Sequence, residues 1–408
     1  LAGALHSARR EQPRLIGQLI EVPAGQTLQA VAEQLEQDAA RPHDRHIRHL
    51  DGQRQVLGWQ EVEPDLETEA QDAAGSASTV PPAPWKAGGV YLLSGGLGGL
   101  GRILAEQMAR QAPGATLVLT GRRALDEAGR HSLRALEALG ATARYLQLDV
   151  SDAQAVRQAV QQIQEDHQTL DGIVHAAGVL QDSLLANKSE AQIRAVLAAK
   201  VQGLIHLDQA SRAIELDWFI ALSSISAVVG SAGQTDYAAA NGFMDAYLEQ
   251  RQAQVAQGQG HGRSLSINWP LWRDGGMHID EASARSLRQS TGLHELPTAQ
   301  GLQALQRIAA GGGAQAMVLY GQAARIRAWL HGQADAAAPA PAAQAAQAAP
   351  AAQPTAVPAA ADDERLQDKL RRLLRQAIAA LLKVQVEDID GDTELSDFGL
   401  DSVMLTDF

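Results

Sequence analysis

The sequence predicts a doubly wound α/β domain at its centre, with a parallel sheet covered by helices on both faces. Three observations predict it. Apolar strand-like runs alternate with longer helical patterns across residues 86–330, the order that βαβ units produce. A glycine-rich turn, Ser94-Gly95-Gly96-Leu97-Gly98-Gly99-Leu100-Gly101, follows the first of those runs and opens a helical pattern. The hydrophobic fraction is 45% over 408 residues, enough for a sizeable core and too high for a disordered chain.

The expected strands are Val90–Ser94, Thr116–Thr120, Ala143–Leu148, Gly172–His175, Trp218–Ser223 and Ser264–Asn268. Helices are expected between them near 100–111, 126–139, 153–166, 189–213 and 236–256. Segment 272–300 contains glycine, carries no strong pattern and is expected to form a lid over the site. Before this domain, residues 1–85 mix short apolar runs such as 15–22 with a helical stretch near 26–39. A polar, acidic connection follows and ends in Pro81-Pro82-Ala83-Pro84. After the central domain, residues 331–361 form a linker; its segment 333–361 holds 17 Ala and 5 Pro, a semi-extended composition that cannot build a core. From Asp362 a new unit begins, with Leu366, Leu370, Leu373, Leu374, Ile378, Leu381 and Leu382 in one apolar stripe at helical spacing. Its remaining length is too short to bury that stripe. The start at Leu1 and the stop at Phe408 predict a piece of a larger polypeptide.

Composition excludes several functions. The formal net charge of −13 disfavours nucleic acid as a partner, and 4% aromatic residues provide few base-stacking platforms. With no cysteine there is no disulfide, thiolate metal site or cysteine nucleophile, which fits a reducing cytoplasm. No metal site is expected. No uncharged apolar run reaches the ~18 residues that a membrane helix needs.

The glycine turn has the strand–turn–helix context of a dinucleotide site. Glycine lets the backbone approach a pyrophosphate, and the helix N-terminus faces the phosphates. Ser94, Gly95, Gly96, Leu97, Gly98, Leu100 and Gly101 are therefore candidate cofactor-binding positions. At the end of the second strand, 21 residues after Gly101, stand Arg122 and Arg123. An acidic residue there would take the ribose 2′-hydroxyl of NAD, whereas arginine suits the 2′-phosphate of NADP. Asp149 and Val150 end the third strand beside the adenine position. Ala176, Ala177 and Gly178 end the fourth, small enough for the cofactor to lie close.

Tyr237 and Asn241 form a Y-x-x-x-N pair whose spacing puts both on one helix face. Ser224 lies 13 residues before Tyr237, at the end of the fifth strand, and Lys200 falls on the helix between strands four and five. Together they suggest a proton-delivery set. A phenol titrates near 10, and a neighbouring ammonium would lower that value. Serine can donate to a substrate carbonyl, and asparagine can support a bound water.

With these residues in place, residues 86–330 resemble a short-chain dehydrogenase/reductase, specifically the ketoreductase domain of modular polyketide synthases. The resemblance rests on His175-Ala176-Ala177-Gly178-Val179, on Gly233-Gln234-Thr235-Asp236-Tyr237-Ala238-Ala239-Ala240-Asn241 and on Asn268-Trp269-Pro270-Leu271-Trp272. It rests also on the exchange that puts Asn241 where simple short-chain reductases carry lysine, with Lys200 upstream. It implies a Rossmann fold, and reduction by NADPH of a β-ketoacyl chain held on an acyl carrier protein. In that reading Tyr237 is the acid, Ser224 the oxyanion donor, Lys200 the group that lowers the tyrosine pKa and contacts the ribose, and Asn241 the holder of a relay water. Residues 1–85 resemble the second half of the structural subdomain of such ketoreductases. Residues 362–408 resemble the start of a carrier protein, with Ser402 in Gly399-Leu400-Asp401-Ser402 as the 4′-phosphopantetheine acceptor. In this family Leu-Asp-Asp after the fourth strand marks the D-hydroxyl product. Leu180-Gln181-Asp182 keeps the second Asp, and the tryptophan of the opposite class is absent at Val229. Trp269–Trp272 followed by Gly275-Gly276-Met277 resembles synthases served by a free-standing acyltransferase. The other domains of the parent synthase would be further partners. Two alternatives stay open: a free-standing alcohol dehydrogenase, and a silent domain that serves as scaffold.

Overall fold

A computed structural model describes residues 1–62 and 84–330. The Ala/Pro linker, the carrier-like unit with Ser402, and most of the acidic connection lie outside the described residues.

The central domain is a seven-stranded parallel sheet of β4 (Val90–Ser94), β5 (Thr116–Gly121), β6 (Thr142–Gln147), β7 (Gly172–His175), β8 (Trp218–Ser224), β9 (Arg263–Trp269) and β10 (Gln315–Met317), in the order β10-β9-β8-β7-β4-β5-β6. Leu92 lies level with Val118 on one side and Ile173 on the other. The inner strands are apolar on both faces because both are covered. Tyr91, Leu93, Leu117, Leu119, Val174 and Ile220 pack on one face with α3 (Gly99–Gln111) through Leu104 and Met108. Leu92, Val118, Ile173 and Phe219 pack on the other with α5 (Ala153–His167) through Val156, Val160 and Ile163. Side-chain caps set where helices begin. Asp126 accepts from the Gly129 amide at 2.7 Å to open α4 (Glu127–Ala138), and Asp152 accepts from two amides to open α5.

The strand order reverses between β4 and β7, which leaves a crevice at their carboxyl ends, where ligands bind in sheets of this kind. The chain then runs through α6 (Glu190–Leu197), a π turn (Ala198–Gln202) and α7 (Gly203–Ser211) to β8. A short α8 (Ser226–Val229) and the long α9 (Thr235–Ala256) follow.

Two expectations needed correction. Segment 272–300 is not patternless. It contains α10 (Glu281–Thr291), capped by Asp280 and ended by Gly292 in the left-handed region, and the start of α11 (Thr298–Ala310). Leu287 of α10 joins Leu293, and Ile326 and Trp329 of α12 (Ala323–Leu330), in a small cluster against Ile225 and Val229. The edge strand β10 was also unexpected: three half-buried residues carry too little period to be seen in the sequence.

The N-terminal residues build α1 (Ala2–Glu11) and a second sheet of β1 (Leu19–Glu21), β2 (His46–Leu50) and β3 (Gln53–Val56), in which β1 and β2 are parallel and β3 antiparallel. Helix α2 (Leu28–Ala39) is tied to that sheet by a buried carboxylate. Asp38 receives His49 at 2.8 Å and Arg54 at 2.6 Å. Helix α1 leaves this sheet and packs on α8 and α9 of the central domain.

Candidate active site

Lys200 is the most constrained member of the expected set. It sits in the π turn and is 3% exposed. Widened turns of this kind recur at functional sites. Its Nζ donates to the Leu222 carbonyl at 3.2 Å and lies 5.1 Å from the centre of the Tyr237 ring. Gly178 lets it pass: a Cβ there would stand 3.1 Å from Lys200 Cε. Burial pulls the ammonium down to about 8, with the Asp245 carboxylate as the opposing influence.

Tyr237 lies in the first turn of α9, packed with Val196 and Ala240. Burial raises its pKa; the polar groups of Asn241 and Ser224 draw it down, and the Asp182 carboxylate adds to the rise. The lowering expected from Lys200 is therefore not what this arrangement gives. The ammonium stands over the ring, and the phenol keeps its proton through the neutral range. Ser224 accepts from the Ser226 amide at 3.2 Å and the Ser226 hydroxyl at 3.0 Å, so its own hydrogen is left to donate. Asn241 Nδ2 donates back to the Tyr237 carbonyl at 2.7 Å. Its Oδ1 is buried without a partner among the described residues, an acceptor able to hold a water. The structure thus brings Tyr237, Ser224, Lys200 and Asn241 together at the crevice.

The glycine turn closes the crevice from the β4 side. Gly95 has φ +68°, and a Cβ on it would press into the Ala177 backbone at 2.8 Å. The backbone of Gly275 lies against Gly99 so closely that any side chain there would collide with it, so the loop after Trp272 is seated on the turn. Gly98 is exposed, Gly96 and Gly101 are buried, and Leu97 and Leu100 pack partly into the core. Ser94 departs from expectation. It is fully buried and its hydroxyl donates to His175 Nδ1 at 2.7 Å, so the side chain braces the turn from beneath. His175 Nε2 faces the Lys200 carbonyl at 3.1 Å, and burial holds the imidazole near 3. It is a neutral strut from β4 to the π turn.

Arg122 and Arg123 are exposed at the end of β5, and neither forms an ion pair among the described residues. Their backbone is pinned by Tyr145, whose hydroxyl donates to the Arg123 carbonyl at 2.6 Å, and by Gln147. Asp149 is exposed but occupied by the Ser151 amide and hydroxyl; Val150 is buried and packs on Gly203. Ala176 and Ala177 are half-buried and Gly178 exposed. Asp182 is exposed and accepts from Gln234 at 2.9 Å. The residues present fit a nicotinamide dinucleotide: a glycine cradle that a Cβ would fill, two uncommitted arginines beyond it, and an unpartnered buried acceptor beside the phenol.

Sequence reasoning missed the layer behind this set. Asp245, four residues beyond Asn241 on α9, accepts from Ser266 at 2.6 Å and Asn268 at 2.8 Å, and Asn268 also donates to Ser223 at 3.0 Å. The repeat of four from Tyr237 was the available signal. Lys188 and Asp236 form a wholly buried ion pair at 2.9 Å, which nothing in the local sequence marks. No group of side chains able to hold a metal occurs among the described residues, and none of their helices is long and apolar enough to cross a membrane.

Comparison with known proteins agrees with this geometry. The family model of the KR domain matches residues 89–274, and that of the phosphopantetheine attachment site matches residues 372–408. Polyketide synthase PksL of Bacillus subtilis is 40% identical over 405 residues, 99% of this chain and 9% of the relative. Polyketide synthase ThaG of Burkholderia thailandensis is 36% identical over 99% of this chain and 7% of the relative. The chain thus spans less than a tenth of these curated relatives. Among solved structures, a ketoreductase domain from the bacillaene assembly line superposes with a TM-score of 0.75 at 36% identity, over 81% of this chain and 75% of that one. An N-terminal ketoreductase from the macrolactin assembly line gives 0.66 at 31%, over 81% of this chain and 61% of that one.

Proposed function

The chain belongs to the ketoreductase domains of polyketide synthases, and we propose that it reduces a β-ketoacyl thioester, held on an acyl carrier protein, to the D-β-hydroxyacyl thioester with NADPH. The observation that carries this reading is the convergence of a buried phenol, a buried ammonium and a free serine donor on the crevice beside the glycine turn. When bound, the cofactor supplies a hydride to the β-carbon.

The chain's own residues do the rest. Ser224 donates to the ketone oxygen and stabilises charge as it develops there. Tyr237, held as the phenol by burial, gives its proton to the forming alkoxide. Lys200 offsets the negative charge left on the phenolate from 5.1 Å above the ring, and Asn241 Oδ1 holds the water through which the phenolate is reprotonated. The glycine turn would receive the pyrophosphate and Arg122 the 2′-phosphate, with Arg123 beside the adenine. Asp182, tied to Gln234, supports the D configuration. The carrier domain would bring the substrate on a phosphopantetheine arm, attached at Ser402 when that domain is complete. The other domains of the synthase would supply the ketoester.

The test is turnover of a β-ketoacyl thioester with NADPH, with NADH as comparison and chiral analysis of the product. D-hydroxyacyl thioester formed with NADPH preferred is the expected result. NADPH binding without turnover on any tethered ketoester would overturn the assignment in favour of a silent domain. Arg122→Ala is expected to weaken NADPH binding about 10- to 100-fold, the loss of a charge-assisted contact, with NADH binding within about twofold. Fluorescence titration with both cofactors checks it.

A further inference from the structure

Glu11, the last residue of α1, lies outside the catalytic domain yet ends inside its crevice. Its Oε2 accepts from the Leu185 amide at 2.6 Å. Its Oε1 accepts from the Gly233 amide at 2.8 Å and the Thr235 hydroxyl at 3.3 Å. One carboxylate therefore bridges the two walls of the crevice: the loop after β7 that carries Asp182, and the turn that opens α9 just before Tyr237.

The bridge is anchored at both ends. Helix α1 is held rigidly on the catalytic domain. The backbone of Gly3 lies against the Ala238 carbonyl with no room for a side chain, Gly230 meets the His6 backbone, and the Ser231 amide donates to Ser7 at 3.1 Å. The loop it holds is bonded to the same turn by Ser183, whose amide donates to the Gly233 carbonyl at 2.9 Å. Lys188 joins it by reaching both the Gln181 carbonyl and Asp236. Leu180, Leu184 and Leu185 of this loop are exposed apolar side chains, a surface the loop would offer to an acyl chain. The Leu185 amide has few alternatives. The loop contains a short 3₁₀ turn rather than a ladder, so these bonds hold it to the α9 turn, and the Glu11 carboxylate is the tie among them that comes from outside the catalytic domain.

We propose that Glu11 is a positioning residue for ketone reduction: it fixes the loop 181–185 across the first turn of the catalytic helix, so the N-terminal segment governs which face of the ketone meets the hydride. The proposal rests on the ketoreductase reading. Its test therefore has one arm that needs no turnover.

Glu11→Gln keeps the shape and removes the charge and one of the two acceptor oxygens. In the whole chain, hydrogen exchange at the Leu185 and Gly233 amides is expected to rise about tenfold or more, since each loses a charge-assisted acceptor or shares a weaker one. With a β-ketoacyl thioester, KM is expected to rise about tenfold and the minor alcohol isomer to become several-fold more abundant, while kcat falls less than about threefold. NADPH affinity should not change. Glu11→Ala should exceed Gln on every one of these readouts, with the folded spectrum retained. Faster exchange at both amides with KM and isomer ratio unmoved would leave Glu11 a purely structural brace and overturn the proposal. Unchanged exchange would overturn it at its geometric premise. Failure of the parent chain to turn over would count against the ketoreductase reading alone, because the exchange arm is then read by itself.

Discussion

Tyr237→Phe is expected to lower kcat for ketoester reduction by about 10²- to 10⁴-fold, the usual worth of a positioned proton donor. The substitution removes one atom. The ring stays packed on Val196 and Ala240 and stays beneath the Lys200 ammonium at 5.1 Å, so neither the fold nor the cofactor cradle is disturbed. NADPH affinity is therefore expected to hold. The direction of the pKa shift sharpens the expectation. Burial raises the phenol above its ordinary value near 10, so the proton-bearing form persists throughout the neutral range. The forward reduction should show no fall assignable to Tyr237 below about pH 10. Measurement of kcat, KM and NADPH binding for parent and variant across pH checks both statements. Full activity in the variant would transfer the acid role elsewhere. A parallel loss of cofactor binding would make Tyr237 a binding residue rather than a donor.

The parts of this molecule that were legible in the sequence are those whose physics is local. The five inner strands read clearly because both of their faces are covered, which favours apolar runs such as Val90–Ser94. The glycine turn read clearly because Gly95 must adopt positive φ where other residues are strained. Tyr237 and Asn241 share one face through simple helical spacing. What escaped was set by partners far away in the chain. Helix α10 is weakly apolar and is ordered by Asp280 at its start and by packing against α12 and the 225–229 region. Ser94 was a candidate cofactor-binding position, and its hydroxyl is taken by His175, 81 residues on. Lys200 was found by its motif, but the π turn that buries it has no sequence signature, and burial is what sets its electrostatics. Glu11 had no local signal at all: the amides that donate to it lie more than 170 residues away.

Lys200→Met should abolish most reduction and at the same time stabilise the cofactor-free chain near neutrality. Loss of an ammonium placed against the developing charge is expected to lower kcat about 10²- to 10³-fold. The stability effect follows from linkage. The unfolded chain holds the Lys200 proton with a pKa near 10.5, the folded chain with one of about 8. Between those values the unfolded state binds more protons, so stability rises with pH across that window; below about 8 the full penalty of the buried charge is present. That penalty is about 3 kcal/mol at one pKa unit per 1.36 kcal/mol. Methionine fills the stem volume without charge. Its gain is reduced by the loss of the bond from Nζ to the Leu222 carbonyl, about 1 kcal/mol. A net stabilisation of about 1–2 kcal/mol is expected near pH 7, shrinking towards zero or reversing by about pH 10. Urea unfolding of parent and variant at both pH values measures it. A variant equally destabilised at both would show that the ammonium anchors the fold through Leu222 and the Tyr237 ring. A gain confined to the lower pH would mark Lys200 as a charge kept at a cost to stability because the chemistry needs it, the pattern of groups selected for function rather than for the fold.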